Sequence, residues 1–129
     1  MYDAGVDAAF RQQFEEALAL YNRGDYLDAQ VQLEAVYNAA GADDQPLVRA
    51  LMMLACGMHL HFHRGGGRGV LNLFRQSLMV LDDLRPESHG VATAELYEAL
   101  EAYLQDLQDR RKPGAGFFDR WLAPRVRYR

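Results

Sequence analysis

Apolar residues recur every three or four positions in five blocks of the chain, and no block alternates with period two, so the pattern reads as helix throughout. Phe10, Phe14, Leu18 and Tyr21 make the first stripe, on a helix expected from about Asp7 to Arg23. Gly24 ends it, because glycine enters the left-handed conformation at little cost. Asp25 is placed to cap a second helix, with Asp28 three residues on in a capping-box position. That helix carries Tyr26, Ala29, Leu33, Val36 and Tyr37 on one face.

"GADDQP" breaks the pattern, with Asp44 or Gln45 as cap and Pro46 tolerated in the first turn of the third helix. Its stripe, Leu47, Leu51, Leu54, Met58 and Phe62, is widened by Met52, Met53, Ala55 and Cys56, so this helix is expected at the centre. After a run of three glycines, the fourth block holds Val70, Leu71, Phe74, Leu78 and Leu81. "RPESHG" ends it, and Ser88 is the expected cap of a fifth helix carrying Leu96, Leu100, Tyr103, Leu104 and Leu107. One short turn is expected around Phe117 to Leu122. The class is therefore all-α: a compact bundle of about five helices, built from two helix-turn-helix hairpins and a C-terminal helix.

An internal echo accompanies this plan. Gly24 and Gly65 lie 41 residues apart, and at that offset Tyr21 faces Phe62, Ala29 faces Val70, Leu33 faces Phe74, and Tyr37 faces Leu78. Each half reads as helix, glycine turn, helix.

Charge divides the chain into two parts. Net charge is −4 over 129 residues, which leaves no global basic field to draw the protein to nucleic acid. From Arg110 to Arg129, however, seven basic residues stand against the single acid Asp119. The expected organisation is a helical domain over 1–111 and a basic, aromatic tail over 112–129. Phe117, Phe118, Trp121 and Tyr128 interleave with arginines, a composition that could stack single-stranded nucleic acid. Docking on the bundle or on a second subunit is favoured instead, because the exposed aromatics would make a sticky patch.

The lone Cys56 forms no internal disulfide or zinc motif, no run approaches membrane-span length, and the opening residues lack signal-peptide order. The expectation is a cytoplasmic protein without a membrane partner. Surplus apolar surface on the third helix and the tail points to a homodimer.

The densest candidate chemistry is "HLHFHRGGGRG", His59 to Gly69. His59 and His63 share a helix face and could supply two metal ligands, while His61 points the other way. No third ligand is identifiable, so no metal is assigned. The glycines with Arg64 and Arg68 could cradle a phosphate, but phosphate loops of the known kinds follow a strand, and this run follows a helix. It reads chiefly as a hairpin corner. Glu34 lies at the apolar margin of the second helix, where a carboxylate could act as base or ligand, or simply meet solvent. There is no nucleophile elbow, no paired-carboxylate motif and no serine or cysteine beside a placed base, so no catalytic residue and no cofactor is assigned.

The run "LYNRGDYLDAQVQLEAVY", Leu20 to Tyr37, resembles the opening motif of the prokaryotic family catalogued as domain of unknown function 309. Tyr21, Asn22, Gly24, Tyr26, Ala29, Leu33 and Glu34 match it, and His61, Arg64-Gly65-Gly66 and Gly69-Val70 resemble its second block. The resemblance covers about Phe14 to Leu81 and implies a compact helical bundle. Departures are specific: Gln30 and Val31 stand where the family has His-Glu, Tyr37 replaces its Trp, and Gly66 its Asn. Glu34, His61 and Arg64 remain as the polar residues it carries over, and they form the candidate ligand-binding set. The first hairpin is also similar to one tetratricopeptide unit, but at most two imperfect copies fit, too few for a solenoid. The leading functional expectation is a non-enzymatic scaffold or protein-interaction module. Its rival is a metal- or small-ligand-binding enzyme with a cleft between the hairpins.

Overall fold

The computed structural model describes residues 4–110, 115–116 and 119–129. Five long helices and one short one run in order: α1 Ala4–Asn22, α2 Tyr26–Ala39, α3 Gln45–His63, α4 Arg68–Asp83, α5 Thr93–Gln108 and α6 Asp119–Leu122. The bundle is all-α, with α3 packed between α2 and α4 as its centre. The turns fall at Gly24, around Gly41, at Gly65 to Gly67 and between Arg85 and Gly90.

The apolar stripes become the core. Phe14, Leu18 and Tyr21 of α1 are buried, and so are Leu33 and Val36 of α2, Leu51, Leu54 and Met58 of α3, Phe74 and Leu81 of α4, and Leu96 and Leu100 of α5. Burial of side chains of this size contributes roughly 1.5–3 kcal/mol each, the main favourable contribution to folding. The 41-residue echo survives in three dimensions. Gly24 and Gly65 each lie two residues beyond a helix end, with φ of +87° and +84°. Their partners Ala29 and Val70, and Leu33 and Phe74, are buried alike.

The first helix, Ala4–Asn22, agrees with its expected bounds to within one turn. Two local expectations are corrected. Asp25 is the N-cap of α2, but its side chain makes no cap hydrogen bond; the carboxylate pairs with Arg23 instead. Ser88 does not cap α5, which starts at Thr93 after Ala92. Ser88 exchanges backbone hydrogen bonds with Val91 in a small turn, and the Thr93 hydroxyl donates to the Leu84 carbonyl, tying the two helices across the connection. The N-cap position falls at Ala92, beyond Ser88, and the first-turn Ala94 N–H donates to the Pro86 carbonyl instead.

A close helix approach is set by a glycine. At Gly57 of α3, a Cβ would lie 2.6 Å from a ring carbon of Phe74, whose side chain is fully buried on α4. Between the same helices, the buried Ser77 hydroxyl donates 2.9 Å to the Ala50 carbonyl as a polar stitch. Gly57→Ala is expected to lower the melting temperature despite alanine's better helix propensity, because overpacking of about 1–3 kcal/mol outweighs the ~1 kcal/mol gain. Trimming the ring in Gly57→Ala/Phe74→Leu should recover part of the loss in thermal denaturation.

Candidate functional site

The one acid of the basic tail is buried. Asp119 opens α6 and is 2% exposed, a position that demands donors on both carboxylate oxygens. Arg110, just past α5, supplies a fork: Nη1 donates 2.5 Å to Oδ2 and Nη2 donates 2.7 Å to Oδ1. The Gly116 backbone N–H donates 2.7 Å to Oδ2. His61, near the end of α3, brings Nε2 within 3.2 Å of the same oxygen. Arg110 is itself held from behind by Asp106, one turn back on α5. Tyr103, on the buried face of α5, sets its hydroxyl 2.9 Å from His61 Nε2.

The electrostatics are set by this packing. The Arg110 hydrogen bonds hold the Asp119 carboxyl below the usual carboxylate range, against the opposing pull of burial. Burial lowers the His61 imidazole below an ordinary histidine, although the bond to Asp119 works the other way. The ring is therefore neutral at pH 7. Beside an ionised Asp119, the favourable tautomer carries its hydrogen on Nε2, where it donates to Oδ2. Burial also raises the Tyr103 hydroxyl, which stays protonated, and the Asp119 bonds raise Arg110.

A second clamp holds the chain beyond α6. Tyr21, at the end of α1, donates 2.8 Å to the Pro124 carbonyl from a fully buried hydroxyl. Asn22 uses both ends of its amide on Val126: Nδ2 donates to the carbonyl and Oδ1 accepts from the N–H, each at 2.8 Å. Ala123 and Val126 are buried as a result. Farther on, Ala92 N–H donates to the Arg127 carbonyl, and Arg129 N–H to that of Gly90. The described part of the tail thus docks on its own bundle, and Arg127 reaches Glu95 on α5. Phe117 and Phe118 lie outside the described residues. The Trp121 and Tyr128 side chains are 68% and 37% exposed, and Tyr128 pairs through its backbone with Val91.

The three residues carried over from the family resemblance are not brought together. His61 is buried in the Asp119 cluster, whereas Glu34 is exposed on α2 and Arg64 is exposed as the C-cap of α3. Neither Glu34 nor Arg64 is among the hydrogen-bond or ion-pair partners of His61 within the described residues. His59 and His63 lie against each other on another face of α3, ring centroids 5.0 Å apart. Among the described residues, no three His, Cys, Asp or Glu side chains converge as a metal would require. Asp119, Arg110 and Tyr103 are the members that sequence reading missed. The signal was a lone acid in a segment otherwise full of arginines. Compared with protein-family models and with curated proteins, the chain matches none.

Asp119→Ala would strand Arg110 and His61, and is expected to cost about 3 kcal/mol in denaturant unfolding. Stability should fall with acid in two stages. His61 binds its proton more readily unfolded than folded, so stability drops as pH falls below about 6.5; Asp119 adds a loss below about pH 4. His61→Gln should remove the first stage and keep the second, read as melting temperature against pH.

Proposed function

We propose that the protein is a non-enzymatic helical scaffold or protein-interaction module, working in the cytoplasm as a homodimer. The observation that carries this reading is how the polar interior is used. No buried side-chain nitrogen or oxygen among the described residues lacks a hydrogen-bond partner, and the histidine–carboxylate–tyrosine cluster is sealed from solvent at 2% exposure for both His61 and Asp119. A general base must reach a substrate proton. His61 reaches Asp119 and Tyr103, which fix the C-terminal segment in place.

The same placement informs the family resemblance. Tyr21 and Asn22 grip the C-terminal segment, Gly24 forms the turn beside them, Tyr26 stacks on Phe62, and His61 meets Asp119. On this reading the motif that resembles domain of unknown function 309 is a clamp for a C-terminal segment rather than a reaction centre. The loss of its His-Glu pair at Gln30 and Val31 is then tolerable.

The outer face of the first hairpin supports the dimer. Leu27 and Val31 lie one turn apart on α2, 49% and 60% exposed, and Val31 borders a groove with Leu20 of α1 and Ala35. Two copies related by a two-fold axis would cover both faces at once. Light scattering at micromolar concentration is expected to give twice the chain mass, and Val31→Glu to give a folded monomer. Equal monomer masses for both proteins would refute the dimer.

A further inference from the structure

The clamp leaves a cavity of about 140 Å³ where the corner between α1 and α2 meets the segment after α6. Three arginines border it: Arg23 from the corner, Arg120 from α6 and Arg125 beyond it. Arg23 is paired with Asp25 at 3.1 Å. Arg120 lies 5.3 Å over the Phe62 ring, and neither it nor Arg125 has a carboxylate partner among the described residues. Burial raises the Tyr26 hydroxyl on the same wall, and the charges of Arg120 and Arg125 pull it the other way. Two other polar side chains on the wall are already committed. Tyr21 donates to Pro124, and both ends of Asn22 are spent on Val126.

Three exposed arginines border the cavity against one acid, on a chain that is acidic overall at −4, so the local field there favours an anion. The volume is well below the roughly 300–1,000 Å³ of clefts that hold a drug-sized ligand, so the cavity suits one charged group. Planar guanidinium forks match the paired oxygens of a tetrahedral oxyanion. Gly24 borders the same wall with no atom within 4 Å of where a Cβ would stand, so the approach is open there.

We propose that this cavity binds a phosphate group, free or as a phosphomonoester, gripped by Arg23, Arg120 and Arg125. The bound group bridges the α1–α2 corner to the C-terminal segment and tightens the clamp.

The test is a titration of the full chain with inorganic phosphate, and separately with glycerol phosphate, at constant ionic strength held with chloride. Amide resonances of Gly24, Asp25 and Arg125 should move saturably, and the melting temperature should rise. Arg125→Gln should weaken binding about tenfold, as expected for loss of one charge-assisted fork. Arg127→Gln, which removes an arginine outside the cavity, should leave it unchanged. Tighter binding of glycerol phosphate identifies a phosphomonoester ligand, and equal or weaker binding identifies the free oxyanion. Arg125→Gln protein that folds and binds as the parent does, or a response that chloride alone reproduces, overturns the proposal.

Discussion

Burying one carboxylate imposes more order on this bundle than any single apolar contact. Asp119 has nowhere to put its charge except into the Arg110 fork, the Gly116 N–H and His61, so all three must be in register before the site is tolerable. Arg110 lies two residues past the end of α5, and His61 lies in the last turn of α3. The carboxylate therefore joins the central helix to the last long one through a segment that belongs to neither. The fork is steadied in turn by Asp106, and the imidazole by the Tyr103 hydroxyl. Apolar packing of the same parts would permit several arrangements. A charge that needs four donors permits few, and that geometric selectivity is what a buried ion pair contributes when its net stability is small.

Tyr103 shows how two kinds of constraint share one residue. Its position is set by the 3.6-residue apolar period of α5, and its ring packs edge-on to Phe74 at 6.3 Å and to His61 at 5.7 Å. The hydroxyl then extends out of that apolar setting to the polar point within reach. The end of α2 nearest Gly24 works similarly: Tyr26 stacks on Phe62 at 5.7 Å and meets Tyr21 edge-on at 5.2 Å, joining the two hairpin corners through rings. Both clusters meet the C-terminal segment, Tyr21 at Pro124 and His61 at Asp119.

The helices were legible in the sequence because each has to bury a stripe, and a stripe leaves a period. Tyr21 through Tyr37 and Leu47 through Phe62 could be read off in this way, as could both glycine corners. The site was legible only in fragments. His61 could be separated from His59 and His63 by helical geometry, but its partner lies 58 residues away, and no local pattern announces a pairing at that distance. Gly57 was equally silent: one glycine in an apolar helix says nothing about a phenylalanine ring on the next helix. Ser88 misled because capping propensity is a local preference, and here the Pro86 carbonyl takes the first-turn Ala94 N–H. Glu34 and Arg64 matched a motif by spacing, yet Glu34 falls on the exposed side of α2 next to the buried Leu33, and Arg64 lies past the end of α3.

The clamp between Tyr21–Asn22 and Pro124–Val126 joins residues 103 and 104 positions apart. During synthesis the hairpins can close from contacts a few dozen residues apart, as each emerges. Tyr21 cannot be covered until about a hundred further residues have been made, roughly 5–20 s at ordinary elongation rates. Late in that interval a nascent chain carries the rings of Tyr21, Tyr26 and Phe62 and an imidazole awaiting its carboxylate, beside an otherwise finished bundle. Closure of the clamp is therefore timed by translation, and a ribosome that stalls before Pro124 to Val126 emerge would hold the chain with its aromatic corner uncovered.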